Sequence, residues 1–326
     1  MILVTGASGF IGGHVARLLV ARGQAVRVLV RPTSDLSCIG DLRVERAIGD
    51  LCEVSTLRKA FRGCTRLFHV AADYRLWAKD PGEIYRSNVE GTRKILQVAA
   101  ETGIEKVVYT STVGALGFPK DGTLGSEDSP VSIKDMSGPY KRSKFEAEQV
   151  ALKFASEGLP VVIVNPTAPV GEGDLKPTPT GKIIVDFLRG AMPAYVDTGL
   201  NLVDVRDVAA GHLLAAEKGE AGERYILGAR NMTLREIFET LGVLSGRPAP
   251  RLRLPYWMAL GFGLGEAAAS RLTGKEPRAP LEAVRMARHK MFVSTDKAQR
   301  ELGYQPGPVE DALRRAVEWF RKHHYC

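Results

Sequence analysis

Apolar residues along the chain fall into short unbroken runs separated by longer amphipathic stretches. Residues 2–5 (Ile-Leu-Val-Thr) predict a buried strand, 6–12 a tight glycine loop, 13–22 a helix and 26–30 a second strand. Unbroken apolar runs of this length suit strands covered on both faces, which need no solvent-facing alternation. The pattern repeats as a strand at 67–71, a helix at 92–102, a strand at 107–111, a helix at 141–156 and a strand at 161–165. Such alternation predicts an α/β protein with a doubly wound parallel sheet. After Pro166 the glycines and prolines crowd together, as in a segment that bends across a cleft, and helices are expected at 183–190 and 209–218. Residues 1–166 with about 201–225 therefore read as the sheet body, about 167–200 and 226–300 as a smaller substrate-binding region, and about 301–326 as a C-terminal helix. The run YWMALGFGLGEAAA at 256–269 is too short and too glycine-broken to span a membrane; it predicts a buried helix or lid, with a lipid-facing lid as the alternative. Residues 314–326, basic and aromatic, predict an amphipathic helix packed on the body, with attachment to a membrane interface as the alternative.

Composition narrows the classes. With 326 residues, 44% hydrophobic and 25% charged, the chain has the make-up of a folded globular protein. Its 45 Lys and Arg against 37 Asp and Glu give a net charge of +8, but these charges are interleaved with core positions. The basic balance thus points to solvated surface and to contact with an anionic substrate or lipid, and not to nucleic acid. Cys38, Cys52, Cys64 and Cys326 form no CxxC pair and the six histidines add no ligand spacing, so no metal and a reducing compartment are expected. The chain enters a strand at once, without a basic leader, and has no apolar run of about 18 residues. A cytoplasmic enzyme is expected, with peripheral contact at the inner face of a membrane as its remaining route to lipid.

The first chemical signal is Thr5-Gly6-Ala7-Ser8-Gly9-Phe10-Ile11-Gly12. Gly6 and Gly9 permit the turn and a close backbone approach, and Gly12 lets the helix pack near the strand. With Ser8, Phe10 and Ile11 they form a loop whose following helix offers unpaired N–H groups to a pyrophosphate. A dinucleotide is the expected ligand. The second strand ends in Val30-Arg31, without the carboxylate that would accept hydrogen bonds from an NAD ribose. Arg31 can instead meet the extra phosphate of NADP, so NADP(H) is preferred and NAD(H) is the alternative. Asp50, with Leu51, suits the adenine edge, Ala71 and Ala72 can border the cofactor, and Asn88 can bridge its helix to a strand or to an active-site water network.

Tyr140 and Lys144 lie one helical turn apart and can address one cleft. A nearby ammonium stabilises a phenolate, so Lys144 can make Tyr140 a usable acid/base while also bonding the nicotinamide ribose. Thr112, at the end of the preceding strand, is the expected orienter of the substrate oxygen; Ser111 is the alternative, because a one-residue boundary change reverses side-chain direction.

These pieces resemble the extended branch of the short-chain dehydrogenase/reductase superfamily: TGASGFIG at 5–12, DL at 50–51, VAA at 70–72, NVEGT at 88–92, YTST at 109–112, YKRSK at 140–144 and NPTAPVG at 165–171. The resemblance implies a Rossmann-type nucleotide-binding body, Thr112 in the usual serine or threonine position, Tyr140 as acid/base, Lys144 on the ribose and Asn88 in a structural or proton-relay role. It also implies Pro166 and Thr167 framing the nicotinamide, and a homodimer through helices of the nucleotide-binding half. HVAADYRLWAKDP at 69–81 and the segment 176–212 are similar, more narrowly, to hopanoid-associated sugar epimerases and their dihydroflavonol-reductase-like relatives. That likeness implies a sugar-bearing polyterpenoid or its sugar donor as substrate context.

For the substrate edge, Tyr74 and Trp77 offer aromatic faces, while Arg75 or Lys79 could hold an anionic group. Lys176 and Lys182 could contact a polar head group, and Tyr195 and Asn201 could complete the pocket. The expected reaction moves hydride between nicotinamide C4 and a secondary alcohol or ketone on a small-molecule or lipid-linked substrate. An epimerase that oxidises and re-reduces its bound substrate, and a non-catalytic dinucleotide sensor, are the alternatives.

Overall fold

The computed structural model describes residues 1–119 and 121–326. Its centre is a seven-stranded parallel sheet built from β1 (Ile2–Thr5), β2 (Val26–Val30), β3 (Glu45–Ile48), β4 (Arg66–His69), β5 (Lys106–Thr110), β6 (Val161–Pro166) and β10 (Arg224–Leu227). The order is β10-β6-β5-β4-β1-β2-β3. Strands β7 (Ala168–Val170), β9 (Gly199–Asp204) and β11 (Arg230–Thr233) form a second sheet, and β8 (Ala194–Val196) pairs with β12 (Leu252–Leu254). The helices are α1 (Phe10–Ala21), α2 (Val54–Phe61), α3 (Gly82–Tyr85), α4 (Gly91–Glu101), α5 (Gly138–Ser156), α6 (Pro179–Leu188), α7 (Val205–Lys218), α8 (Leu234–Ser245), α9 (Tyr256–Thr273), α10 (Leu281–Met286) and α11 (Val309–Lys322).

Period-two geometry explains why the strands read as solid apolar runs. Ile2, Val4, Val28 and Val108 face α1 and α7, where Val15, Leu19, Val208 and Leu213 complete one core. Leu3, Leu67, Val107 and Ile163 face the opposite way, against Leu57 of α2, Ile95 and Leu96 of α4, and Ala147 and Ala151 of α5. Both faces are buried, which is the doubly wound arrangement. A third core joins Val170, Leu202, Phe187 and Phe238 of the second region to Leu313, Val317 and Phe320 of α11.

Several boundaries differ from the sequence expectation. Helix α1 begins at Phe10, inside the stretch expected to be loop, and α5 begins at Gly138, so Tyr140 lies in its first turn. Helix α7 begins at Val205 because the Asp204 side chain caps it by accepting from Arg206 N. The polar edge strand β3 and helix α2 have no counterpart in the expected elements, because an edge strand reading Glu-Arg-Ala-Ile carries no apolar run. The segment expected to form a buried helix is helical but not buried: of α9 only Gly263 and Ser270 are buried. Among the described residues no helix is long and apolar enough to cross a membrane.

Candidate active site

The carboxyl ends of β1, β4, β5 and β6 lie side by side, with Thr5 opposite His69, His69 opposite Tyr109, and Thr110 opposite Val164. Ligands of open α/β sheets bind at this edge. Gly6 turns there with φ +72°, and a Cβ on it would stand 2.6 Å from the backbone nitrogen of Ala71. A Cβ on Gly12 would land on the carbonyl oxygen of Gly6, so only glycine lets α1 start this close to β1. Gly9 is the N-cap of α1 and supplies no side-chain cap, which leaves first-turn N–H groups facing the loop. Ser8 and Ile11 are partly exposed here and Phe10 is buried. This glycine-only cradle and uncapped helix start fit a pyrophosphate.

Around the cradle, Arg31 is exposed at the end of β2 and its guanidinium forms no ion pair among the described residues; its backbone N–H donates to Ser34 Oγ at 2.9 Å and its carbonyl accepts from Ser34 N at 3.0 Å. Asp50 closes its own turn, with Oδ1 accepting from Cys52 N at 2.8 Å. Leu51 packs beside Gly91 at the start of α4. Ala71 and Ala72 lie in the loop after β4 rather than in the strand, since β4 ends at His69.

Tyr140 and Lys144 project from the first two turns of α5. Burial pushes the Tyr140 phenol up to about 12, and a side-chain hydrogen bond with Thr112 works in the opposite direction. Thr112 Oγ1 also accepts from Gly114 N at 3.1 Å. Lys144 is buried, donates to Thr110 O at 2.8 Å and to Tyr109 Oη at 3.4 Å, and lies 5.0 Å from the Tyr109 ring centroid. Burial lowers its ammonium pKa to about 8, while Glu148 acts to raise it. The lysine is thus held beneath the site by β5, and its hydrogen bonds go there rather than to the Tyr140 hydroxyl. Asn88 is buried and ties the cleft loop to α5: Oδ1 accepts from Asp73 N at 2.7 Å, and Nδ2 donates to Asp73 O at 2.9 Å and to Ser143 Oγ at 3.0 Å.

Ser111, the alternative to Thr112, is buried just past the end of β5; its N–H donates to Val164 O at 2.8 Å and its hydroxyl has no hydrogen-bond partner among the described residues. Pro166 ends β6, and Thr167 N donates to Leu227 O at 3.1 Å. At the substrate edge, several side chains already have partners. The Arg75 guanidinium is chelated by Asp73 and also bridges to Glu83, at 2.6 and 2.9 Å, so the anion-holding role expected of it is taken by its own loop. Tyr74 Oη donates to the backbone oxygen of Lys176 at 3.0 Å, joining the two loops that flank the cleft, while the Lys176 side chain stays exposed. Trp77 is partly buried. Lys182 pairs with Asp186 one turn along α6. The Tyr195 ring packs edge-on against Phe238 in the third core, and Asn201 is buried, donating to Asn231 Oδ1 and accepting from Ala229 N, both at 2.9 Å. Packing and hydrogen bonding thus occupy Arg75, Lys182, Tyr195 and Asn201.

Three residues outside the expected set join the site. His69, buried between Thr5 Oγ1 at 2.8 Å and Thr92 Oγ1 at 3.1 Å, links the glycine strand to α4; burial lowers its pKa to about 3, so the ring is neutral. Glu148 continues the Tyr140, Lys144 spacing by another four residues and accepts from Asn165 Nδ2 at 2.8 Å; that periodicity was its readable signal. Glu282 of α10 accepts from Lys141 N at 3.3 Å, beside Tyr140, from so far along the chain that no local pattern announces it. Among the described residues no cluster of His, Cys, Asp or Glu could hold a metal.

The sequence profile of the NAD dependent epimerase/dehydratase family matches residues 2–228. The chain is 46% identical to a candidate dihydroflavonol 4-reductase of Synechocystis over 99% of this chain and 95% of that one. It is 37% identical to sterol demethylase protein B of Methylococcus capsulatus over 98% of each. Among solved structures, gox2253 superposes with a TM-score of 0.90 and 48% identity, covering 100% of this chain and 99% of the other. A dTDP-glucose 4,6-dehydratase of Streptomyces venezuelae with NAD bound superposes with a TM-score of 0.79 and 25% identity, covering 99% and 98%. Glycine cradle, parallel sheet and profile agree: this chain is a member of the NAD-dependent epimerase/dehydratase family, the extended short-chain dehydrogenases/reductases.

Proposed function

We propose that the protein is an NAD(P)-dependent oxidoreductase that interconverts a ketone and a secondary alcohol, with Tyr140 as acid/base. The observation carrying this reading is the placing of Tyr140 and Lys144 one turn apart in the first turns of α5, with Lys144 buried and donating to Thr110 O at 2.8 Å, at the sheet edge that also holds the glycine cradle. In reduction, Tyr140 gives its proton to the substrate oxygen while Thr112 holds that oxygen; in oxidation the proton returns to Tyr140. A phenol pushed up to about 12 carries its proton at neutral pH, so in reduction Tyr140 starts as the acid. Gly6, Ser8, Gly9, Phe10, Ile11 and Gly12 would hold the pyrophosphate, Asp50 and Leu51 the adenine, and Lys144 the nicotinamide ribose. Ala71, Ala72, Asn88, Pro166 and Thr167 would frame the nicotinamide side. When bound, the nicotinamide supplies or takes the hydride. The unpaired Arg31 supports NADP(H), with NAD(H) as the alternative.

The substrate we infer is a lipid-like alcohol or ketone, a sugar-bearing polyterpenoid among them; a relative named for sterol demethylation supports the lipid class. The family also includes epimerases, so an internal oxidation and re-reduction of a sugar is the second reading. Tyr140→Phe is the test, read as deuterium transfer from labelled NADPH or NADH to a panel of ketones. We expect a loss of about 100-fold or more with dinucleotide binding retained. Unchanged transfer rejects Tyr140 as the acid. Retention of non-exchanging NAD through purification, seen by mass spectrometry, would select the epimerase.

A further inference from the structure

Helix α9 presents to solvent a face that a water-soluble enzyme normally hides. Trp257, Met258, Phe262, Leu264 and Leu272 are 71, 44, 56, 50 and 88% exposed. Between them Gly261, Gly265, Ala268 and Ala269 are exposed too; Glu266, at mid-helix, is partly buried and accepts from Arg278 N at 2.8 Å, and Arg271 adds a charge near the C-terminal end. At a rise of about 1.5 Å per residue the exposed apolar positions from Trp257 to Leu272 span roughly 22 Å, with the first ten residues of the helix uncharged. Contiguous apolar surface of this kind marks an interaction site.

Charge at the ends of the strip identifies the partner. Residues 247–290 hold nine Lys and Arg against three Asp and Glu, most of the chain's net excess. Arg251 and Arg253 precede the helix and Arg271, Lys275 and Arg278 end it; all are exposed. Arg253 pairs with Asp197 at 2.7 Å, and the other four form no ion pair among the described residues. An apolar strip with cations at both ends is complementary to a bilayer carrying anionic lipid: side chains enter the acyl boundary and cations meet the head groups.

The underside of α9 leads to the chemistry. Gly263 packs on α10, where a Cβ would stand 3.0 Å from Val284 Cγ2. On α10, Glu282 reaches the start of α5, and Gly138, with φ +77°, leaves the space its carboxyl fills. The strip therefore roofs the turn that carries Tyr140.

We propose that α9 docks the enzyme on an anionic membrane surface and that the lipid-like substrate passes from that surface under the α9 and α10 roof to Tyr140. The docking stands on the surface alone, whereas the substrate route rests on the function proposed above. The full chain would be mixed with vesicles of phosphatidylcholine alone or phosphatidylcholine with phosphatidylglycerol, following sedimentation and tryptophan emission. We expect salt-sensitive binding to the anionic vesicles and an emission shift absent from Trp257→Phe. A triple variant, Trp257→Gln with Phe262→Gln and Leu264→Gln, should bind at least about tenfold more weakly with an unchanged melting temperature. Arg251→Glu with Arg253→Glu should weaken binding without touching the apolar face. The triple variant should keep turnover of a water-soluble ketone and lose it for one dissolved in vesicles. Equal sedimentation with neutral and anionic vesicles overturns the proposal, as does a dimer that the same three substitutions dissociate, which would assign the face to a second copy. Tyr140→Phe should still bind vesicles; turnover by that variant would overturn the acid/base assignment and leave the docking intact.

Discussion

Helices α9 and α11 belong to the same late part of the chain and make opposite use of apolar residues. In α11, six of them, Val309, Ala312, Leu313, Ala316, Val317 and Phe320, recur at intervals of three and one, and all six are buried although the helix is rich in charge. In α9 apolar and small residues run almost without interruption, and only two positions are buried. Periodicity, and not apolar content, decides what a helix can hide: a stripe docks on one partner, whereas the apolar residues of α9 spread past the side that packs on α10 and leave a face its own chain does not cover.

Substitutions can break that comparison. The largest stability effect is expected in α11, where Phe320→Ala empties the third core and should cost about 3–5 kcal/mol by denaturant titration. An effect under about 1 kcal/mol would mean that α11 is dispensable to this core. The second lies beneath the roof. Burial pushes the Glu282 carboxyl up to about 7, with the bond from Lys141 N and the Lys141 charge opposing, and its Oε2 has no hydrogen-bond partner among the described residues. A folded pKa above the unfolded 4.5 means that the native state is favoured by the neutral form below that pH and loses this advantage as pH rises through about 7. Glu282→Gln should remove the loss, so the variant gains about 2 kcal/mol relative to wild type between pH 5 and pH 8, measured as denaturation midpoints. A constant difference across that range would place an ionised carboxylate there. The smallest effect is on the outer face of α9, where Trp257→Gln should shift stability by no more than about 0.5 kcal/mol in the absence of membrane. A larger loss would show that the tryptophan packs on the protein after all.

The contrast also explains what was readable. The body of the fold was legible because each central strand is buried twice, so its apolar run survives any choice of face, and because Gly6 and Gly12 are required by backbone contacts at fixed offsets. The placement of Tyr140 and Lys144 followed from one helical turn. Edge strand β3 was not legible, since half of its residues are charged. The engagement of Arg75 by Asp73 and Glu83, of Asn201 by Asn231, and of Lys141 by Glu282 depends on loop geometry or on partners far along the chain, which local pattern does not encode. For α9, composition gave the helix but could not say which way its surface would face.

The third core has one more consequence, for the order in which the protein is made. Its early members, Val170, Ile184 and Leu202, leave the ribosome well before Leu313, Val317 and Phe320, which close over them. The nucleotide cradle, encoded within the first strand and helix, can mature while α11 is still untranslated. During that interval the second region shows an open apolar surface, so nascent chains stalled before residue 309 should be favoured clients of chaperones even when their glycine loop is already in place.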